Sequence, residues 1–107
     1  MYYYHVSKIK DLKTLKPSIP CNKMVKDYGE DGTIPRVCVS PNINQCLNAL
    51  GGFFDFDETL YIYSIWCENA YKPSRKLVPD VSHTDEHWIL EEIECKILYE
   101  IKMVKQT

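Results

Sequence analysis

Hydrophobic and charged residues alternate most clearly near the end of the chain. From position 92 to position 103 the odd positions are apolar and the even positions are charged, with Leu98 as the exception. Leu90, Ile93 and Ile97 also have the spacing of a helix face, but alternation accounts for more of the positions. The pattern therefore predicts a half-buried strand over residues 93–103, after a strand at 87–90 and a short bend.

Three earlier segments have the composition of strands. They are residues 2–6 (YYYHV), 36–40 (RVCVS) and 60–67 (LYIYSIWC), which are rich in aromatic and β-branched side chains. The polar stretches 21–34 and 68–86 separate these apolar runs. We predict that the first stretch is a surface loop and that the second is mostly loop.

One helix is predicted over residues 43–50 (INQCLNAL). Ile43 and Cys46 lie on its apolar face, and Asn42 or Asn44 has the side chain that caps a helix start. Together, these elements predict a single α+β domain that spans the 107 residues of the chain. We expect five to six short strands in a mostly antiparallel or mixed sheet.

The composition narrows the classes of function. The chain has 13 Lys and Arg against 15 Asp and Glu, a net charge of −2, so no broad nucleic-acid footprint is expected. Its five cysteines form no C-x-x-C pair, which favours reduced structural thiols over a zinc ribbon. No apolar run approaches the roughly 20 residues of a membrane span, and the first residues have no leader pattern. We expect a cytoplasmic protein without a membrane partner.

Residues 53–59 (FFDFDET) contain the pattern D-x-D-x-T, which resembles the nucleophile loop of haloacid-dehalogenase phosphatases. Such an enzyme needs several βαβ units after the motif, each of roughly 30 residues or more. The short remainder of this chain is predicted to form strands and loops, and Glu58 stands where that family has a small residue. We therefore reject the phosphatase hypothesis and interpret the segment as a charged turn before a strand.

A metal site is the next candidate. His83, Asp85 and His87 repeat at period two, so on an extended chain their side chains would face one side. Imidazole and carboxylate groups are common ligands of divalent ions. No Cys or further His lies close in sequence to complete the set. A polar loop is the preferred interpretation, and no metal cofactor is predicted.

Three motifs, taken in order, resemble a compact ADP-ribosyltransferase-like fold. YYHVS, residues 3–7, is similar to the first-strand motif of the His-Tyr-Glu branch of that family. RVCVSPNINQCLNAL, residues 36–50, resembles the second motif, and VPDVSHTDEHWIL, residues 78–90, resembles the third. The YHVS…RVCxSP…ExW layout also resembles that of small proteins of bacteria and their phages. The resemblance covers nearly the whole chain.

The resemblance implies NAD as the substrate and a role for each matching residue. His5 would hydrogen-bond a ribose of NAD, and Ser40 would lie beside the nicotinamide pocket. Glu86 would be the catalytic residue, because the oxocarbenium-like charge that builds as nicotinamide leaves requires a fixed carboxylate in a sheltered site. Asp85 or Glu91 is the alternative for that role.

The family often has a Tyr in its second motif that stacks on nicotinamide, whereas residues 38–41 (CVSP) contain none. Tyr63, or Tyr61 on the same predicted strand, would provide an aromatic wall for the cofactor instead, although a position in the core is the preferred interpretation of both residues. Two functions follow. The first is an NAD-dependent ADP-ribosyltransferase or NAD-cleaving protein, whose acceptor the sequence does not name. The second is a non-catalytic accessory protein that uses the same scaffold to bind a host protein.

Overall fold

A computed structural model of the chain describes residues 1–20, 25–26, 29–50 and 57–104. Seven strands and two helices have defined bounds: β1 (Tyr2–Ser7), β2 (Thr14–Leu15), β3 (Val37–Val39), α1 (Ile43–Leu50), β4 (Thr59–Trp66), α2 (Val81–Thr84), β5 (His87–Ile89), β6 (Ile93–Glu94) and β7 (Lys96–Lys102). This is a small α+β domain, as predicted. Most of the predicted charged turn before β4 lies outside the described residues.

The largest sheet has three strands in the order β1-β4-β7, and both ladders are antiparallel. Buried residues of β4 alternate onto both faces, with Leu60 and Ile62 on one face and Tyr63 and Ile65 on the other. β4 is therefore covered on both faces as well as paired on both edges. A β-bulge shifts the register with β7 between Ile62 and Tyr63.

A second, two-stranded ladder joins β3 to β5 and is attached to the main sheet. The residue after β3, Ser40, exchanges two backbone hydrogen bonds with Tyr4 in the middle of β1, at 2.8 and 3.0 Å. This bridge brings the end of β3 alongside β1. It places His5 next to Cys38, which is the starting point of the candidate site.

Two hydrophobic clusters hold these sheets together. The first is formed by residues of β1 to β5 and by the residue between β6 and β7. Its members are Tyr3, Leu15, Val37, Val39, Tyr63, Ile65, Ile89 and Cys95. The second is formed by Val78, Val81 and Trp88 and lies beneath α2. Trp88 is fully buried, so the segment that leads into β5 is fixed to the protein interior.

The start of α1 is capped as the sequence suggests. The side-chain oxygen Oδ1 of Asn42 accepts hydrogen bonds from the backbone N–H groups of Asn44 and Gln45, at 2.8 and 3.3 Å. Such a bond satisfies donors that the first turn of a helix leaves unpaired. Among the described residues, no helix is long and apolar enough to cross a membrane.

The final strand is confirmed, but its predicted burial is wrong. β6 and β7 occupy residues 93–94 and 96–102, after a bend and the predicted strand β5. Ile97 and Tyr99, which alternation placed on the buried face, are both exposed. Alternation assumes a regular strand, whereas the β-bulge places Ile97 opposite Tyr63 and Tyr99 opposite Ile62, on the two different faces of the sheet. Alternation also does not predict whether another layer covers a face.

We predict that the hydroxyl of Tyr63 stabilises the connection between β1 and β2. It donates a hydrogen bond to the carbonyl oxygen of Ile9 at 2.6 Å and accepts one from the backbone N–H of Leu12 at 3.3 Å. Tyr63→Phe leaves both backbone groups without this partner, so it should lower the free energy of unfolding by about 1–2 kcal/mol in urea denaturation. Tyr61→Phe is the control, because no hydrogen bond of its hydroxyl occurs among the described residues. Equal losses in the two variants would contradict this role.

Candidate functional site

A cavity of about 200 Å³ opens where β1, β3, α1 and the segment before β5 meet. Three of the residues predicted from separate motifs lie together in its wall: His5, Ser40 and Glu86. Glu30 and Cys38 complete the polar part of the lining. The structure therefore brings one residue from each of the three motifs to a single place.

A second cavity of about 180 Å³ lies beside the first. The two share His5, Pro20 and Cys38, so these residues form the wall between them. Ser18 and Arg36 also line the second cavity. The side chain of His5 therefore lies between two small cavities.

The ring of His5 is held in one orientation. Its Nδ1–H donates a hydrogen bond to the carbonyl oxygen of Cys38, at 2.7 Å. Burial lowers the pKa of His5, and the hydrogen bond to Cys38 opposes that shift. The ring is therefore neutral near pH 7, and Nε2 is left as a hydrogen-bond acceptor.

Ser40 holds the segment that contains Glu86. Its Oγ donates a hydrogen bond to the carbonyl oxygen of Thr84 at 2.9 Å, and both residues are buried. Thr84 ends α2, two positions before Glu86. Because the hydroxyl proton is already donated, Ser40 acts as a positioning residue that also lines the cavity.

Glu86 is a buried carboxylate with a fixed orientation, only 6% exposed. Its Oε2 accepts a hydrogen bond from the indole Nε1–H of Trp88 at 2.7 Å. Burial raises the pKa of Glu86, whereas the Trp88 hydrogen bond and the charge of Arg36 oppose the rise. A carboxylate held in this way is available for an electrostatic role without further reorganisation.

Glu30 is a second buried carboxylate, and the sequence did not predict it. It lies in the stretch that we interpreted as a surface loop, yet it is only 8% exposed and lines the same cavity as Glu86. Burial, followed by the negative charge of Glu86, raises the pKa of Glu30 to about 7, while Arg36 opposes the rise. Titratable groups whose pKa values are shifted towards neutrality are typical of sites that move protons.

Arg36 supplies the positive charge between the two acids. Its side chain is fully buried, and its Nη1 donates hydrogen bonds to the carbonyl oxygens of Asp31 and Ile34, at 2.7 and 3.0 Å. Its Nη2 lies 3.5 Å from Oε2 of Glu30, and its guanidinium carbon lies 4.2 Å from the centre of the Trp88 ring. Among the described residues, Nε and Nη2 of Arg36 have no hydrogen-bond partner. The sequence signal for this arrangement was an Arg at the start of an apolar strand. Because a buried charge must be paired, an Arg that is buried with its strand requires an acid nearby.

Tyr63 is placed differently from its predicted role beside the cofactor. It faces the main hydrophobic cluster, and its hydroxyl binds the β1–β2 connection. β4 is central and covered on both faces, so an aromatic ring on that strand packs in the core. The cavity wall is instead formed by His5, Cys38 and short aliphatic side chains.

The two alternatives to Glu86 lie elsewhere. Asp85 has a left-handed backbone (φ 48°), and its Oδ1 is 2.9 Å from Nζ of Lys72, which is exposed. Glu91 is exposed in the bend after β5. Glu86 is the acid of the third motif that lines the cavity, which favours it over both neighbours.

The metal hypothesis depended on an extended chain at residues 83–87. The backbone instead forms the helical turn α2 and then the left-handed Asp85, so the extended conformation that the hypothesis required is not present. The Nδ1–H of His87 donates to the backbone carbonyl of Asp85, at 2.9 Å. Within the described ranges, no group of three or more metal-ligating side chains is found.

We predict that Glu30 makes the stability of the protein depend on pH. Its pKa is raised from 4.5 to about 7, so between these pH values the folded state binds more protons than the unfolded state. The contribution of Glu30 is therefore present below the unfolded pKa and is lost as the pH rises through the folded pKa. The slope is at most about 1.4 kcal/mol per pH unit.

The measurement is the difference in free energy of unfolding between wild type and Glu30→Gln, followed by urea denaturation from about pH 5 to about pH 8. The difference is required because His5, whose pKa is lowered, contributes with the opposite sign. Glu30→Gln should gain stability relative to wild type as the pH rises. Parallel profiles for the two proteins would show that Glu30 titrates normally.

Comparison with known proteins does not extend this description. No family model, no curated protein and no solved structure matches the chain. The chemistry of the site is therefore inferred from its own residues.

Proposed function

We propose that this protein cleaves the bond between nicotinamide and ribose in NAD and transfers ADP-ribose to water or another acceptor. The observation that supports the proposal is the meeting of His5, Ser40 and Glu86 around one cavity, from motifs that are far apart in the sequence. The assignment to the ADP-ribosyltransferase-like fold belongs to the same proposal. It rests on the three motifs and their order along the α+β domain.

Glu86 is the residue that stabilises the positive charge of the transition state. As the bond from ribose C1′ to the pyridinium nitrogen breaks, nicotinamide leaves as a neutral molecule with the bonding electron pair, and positive charge builds on the ribose. A buried carboxylate stabilises that charge more strongly than a carboxylate in water, because little solvent screens it. The hydrogen bond from Trp88 keeps Glu86 oriented and favours its ionised form.

Glu30 is suited to act as the general base. Water attacks C1′ and loses a proton, which the ionised carboxylate of Glu30 accepts and later releases to solvent. With a pKa of about 7, a substantial fraction of Glu30 is ionised near neutral pH. A base with this pKa combines availability with a useful driving force for proton transfer.

The dimensions of the site indicate which part of NAD it would hold. Cavities that bind drug-sized ligands usually enclose about 300–1,000 Å³, and the first cavity encloses about 200 Å³. It is suited to the nicotinamide and its ribose, with Nε2 of His5 accepting from a ribose hydroxyl.

A second candidate is a non-catalytic protein that uses the scaffold to bind a host protein. One observation favours it: Tyr63, which would have stacked on nicotinamide, is committed to the core. A site without a stacking aromatic ring holds the flat nicotinamide less firmly. The same protein sample distinguishes the two candidates, because only the first requires NAD.

We predict that the purified protein releases nicotinamide from NAD and that Glu86→Gln lowers kcat by at least about 100-fold, as expected when a preorganised electrostatic group is removed. Nicotinamide is measured by chromatography, and NAD binding is measured by calorimetry. Glu91→Gln is the matched control, because it makes the same change at an exposed acid of the same region. It should retain wild-type activity.

Glu30→Gln tests the base separately. It should lower hydrolysis by roughly 100-fold or more and remove the rise of kcat that accompanies ionisation near pH 7.

If the Glu86→Gln variant still releases nicotinamide at the wild-type rate, Glu86 is not the catalytic residue. If the wild-type protein neither binds NAD nor releases nicotinamide, the NAD proposal is overturned. The non-catalytic binding protein then remains as the candidate.

A further inference from the structure

The cavity that contains Glu30 and Glu86 has two acidic groups in its wall and no basic one to match them. It encloses about 200 Å³, and neither Lys nor Arg occurs among its described lining residues. His5 also lines it, but burial lowers the pKa of that ring, which is neutral near pH 7. The compensating charge of Arg36 lies behind the wall, next to Glu30.

The carboxylate of Glu30 is buried without a hydrogen bond. Its side chain is 7% exposed, and its Oε2 lies 3.5 Å from Nη2 of Arg36. That contact is an ion pair and not a hydrogen bond, because Nη2 has no hydrogen-bond partner in the described part of the chain. No other described residue donates to this carboxylate. Buried polar groups are ordinarily hydrogen-bonded, so an unsatisfied acceptor in a cavity wall indicates a donor that a ligand supplies.

The remaining polar side chains of the wall can accept hydrogen bonds but have already donated their own hydrogens. Oγ of Ser40 and Sγ of Cys46 donate to backbone carbonyl oxygens, at 2.9 and 3.5 Å. Nδ1–H of His5 is also donated to a carbonyl oxygen, which leaves Nε2 as an acceptor. A ligand that complements this wall therefore carries several hydrogen-bond donors.

The charges around the cavity favour a cationic ligand. The negative charges of Glu86 and Asp80 raise the pKa of Glu30, and Arg36 opposes them. Asp80 and Arg36 act on Glu86 in the same two directions. When both glutamates are ionised, one guanidinium group faces two buried carboxylates. One further positive charge in the cavity would pair the second carboxylate, as a buried charge requires.

We propose that this cavity binds a small planar organic cation with N–H donors, of the amidinium or guanidinium type. Such a delocalised cation is more weakly hydrated than an ammonium group, so it loses less on entering a buried site, and its N–H groups match the geometry of a carboxylate. Glu30 and Glu86 supply the charge, and His5 and Ser40 supply further acceptors. This inference concerns binding alone and does not rest on the NAD proposal.

The test is a titration of the full chain with acetamidinium in the absence of NAD, followed by calorimetry and by NMR. Acetamidinium should bind saturably with a dissociation constant in the millimolar range, because so few heavy atoms limit the affinity. The amide signals of Cys38 and Ser40, which line the cavity, should shift. Acetamide has the same shape without the charge, so it should bind at least roughly tenfold more weakly.

Two variants test the carboxylates. Glu30→Gln and Glu86→Gln each remove one negative charge from the wall, and each should raise the dissociation constant for acetamidinium roughly tenfold or more. Glu91→Gln is the matched control at an exposed acid, and it should bind like wild type. Thermal unfolding of each variant verifies that the domain is folded.

Binding to wild type should also release protons near pH 7. The pKa of Glu30 is about 7, and a bound cation favours its ionised form, so the affinity should fall as the pH decreases below 7. Calorimetry in two buffers with different ionisation enthalpies measures the released protons. The release should be smaller in Glu30→Gln, because the remaining change comes from other groups such as Glu86.

Three results would overturn the proposal. The first is a wild-type chain that does not bind acetamidinium saturably. The second is equal affinity for acetamidinium and acetamide, a comparison that requires no variant. The third is a folded Glu30→Gln protein that binds acetamidinium with wild-type affinity. Because no NAD is present in these measurements, failure of the NAD proposal leaves their outcome unchanged.

Discussion

A guanidinium group that has lost its water must be neutralised and hydrogen-bonded by the protein around it, because an unpaired buried charge costs several kcal/mol. Arg36 is in this position, with a fully buried side chain. Its partners are two backbone carbonyls, the carboxylates of Glu30 and Asp31, and the face of Trp88. These groups come from two separate segments of the chain, residues 30–34 and β5, so the buried charge determines how those segments pack.

The same constraint produces the properties of the candidate site. Trp88 contacts Arg36 with its ring and Glu86 with its N–H, so cation, indole and carboxylate form one connected set. Burial makes both acids harder to ionise than they would be in water, and the single positive charge of Arg36 opposes that effect at each of them. The two acids and the buried arginine therefore form one electrostatic arrangement.

The sequence predicted the elements better than their environments. Alternation located the final strand and composition located β1, β3 and β4, since both signals depend on the local period of the chain. His5, Ser40 and Glu86 were found because each stands in a motif with a family resemblance. Glu30 was missed, since an acid between glycines has the composition of an exposed turn and the sequence pattern does not show that it lies against the buried Arg36.

Two cysteines line the candidate cavity, and their environment gives that cavity a further property. Burial raises the pKa of Cys38 and Cys46 to about 12, and the charge of Glu86 adds to the rise at Cys38. At pH 7 the thiolate fraction at each is on the order of one in 100,000, and the thiolate is the form that reacts with oxidants and alkylating agents. The two thiols of the cavity wall are therefore poor nucleophiles, and sulfur serves there as a small apolar surface.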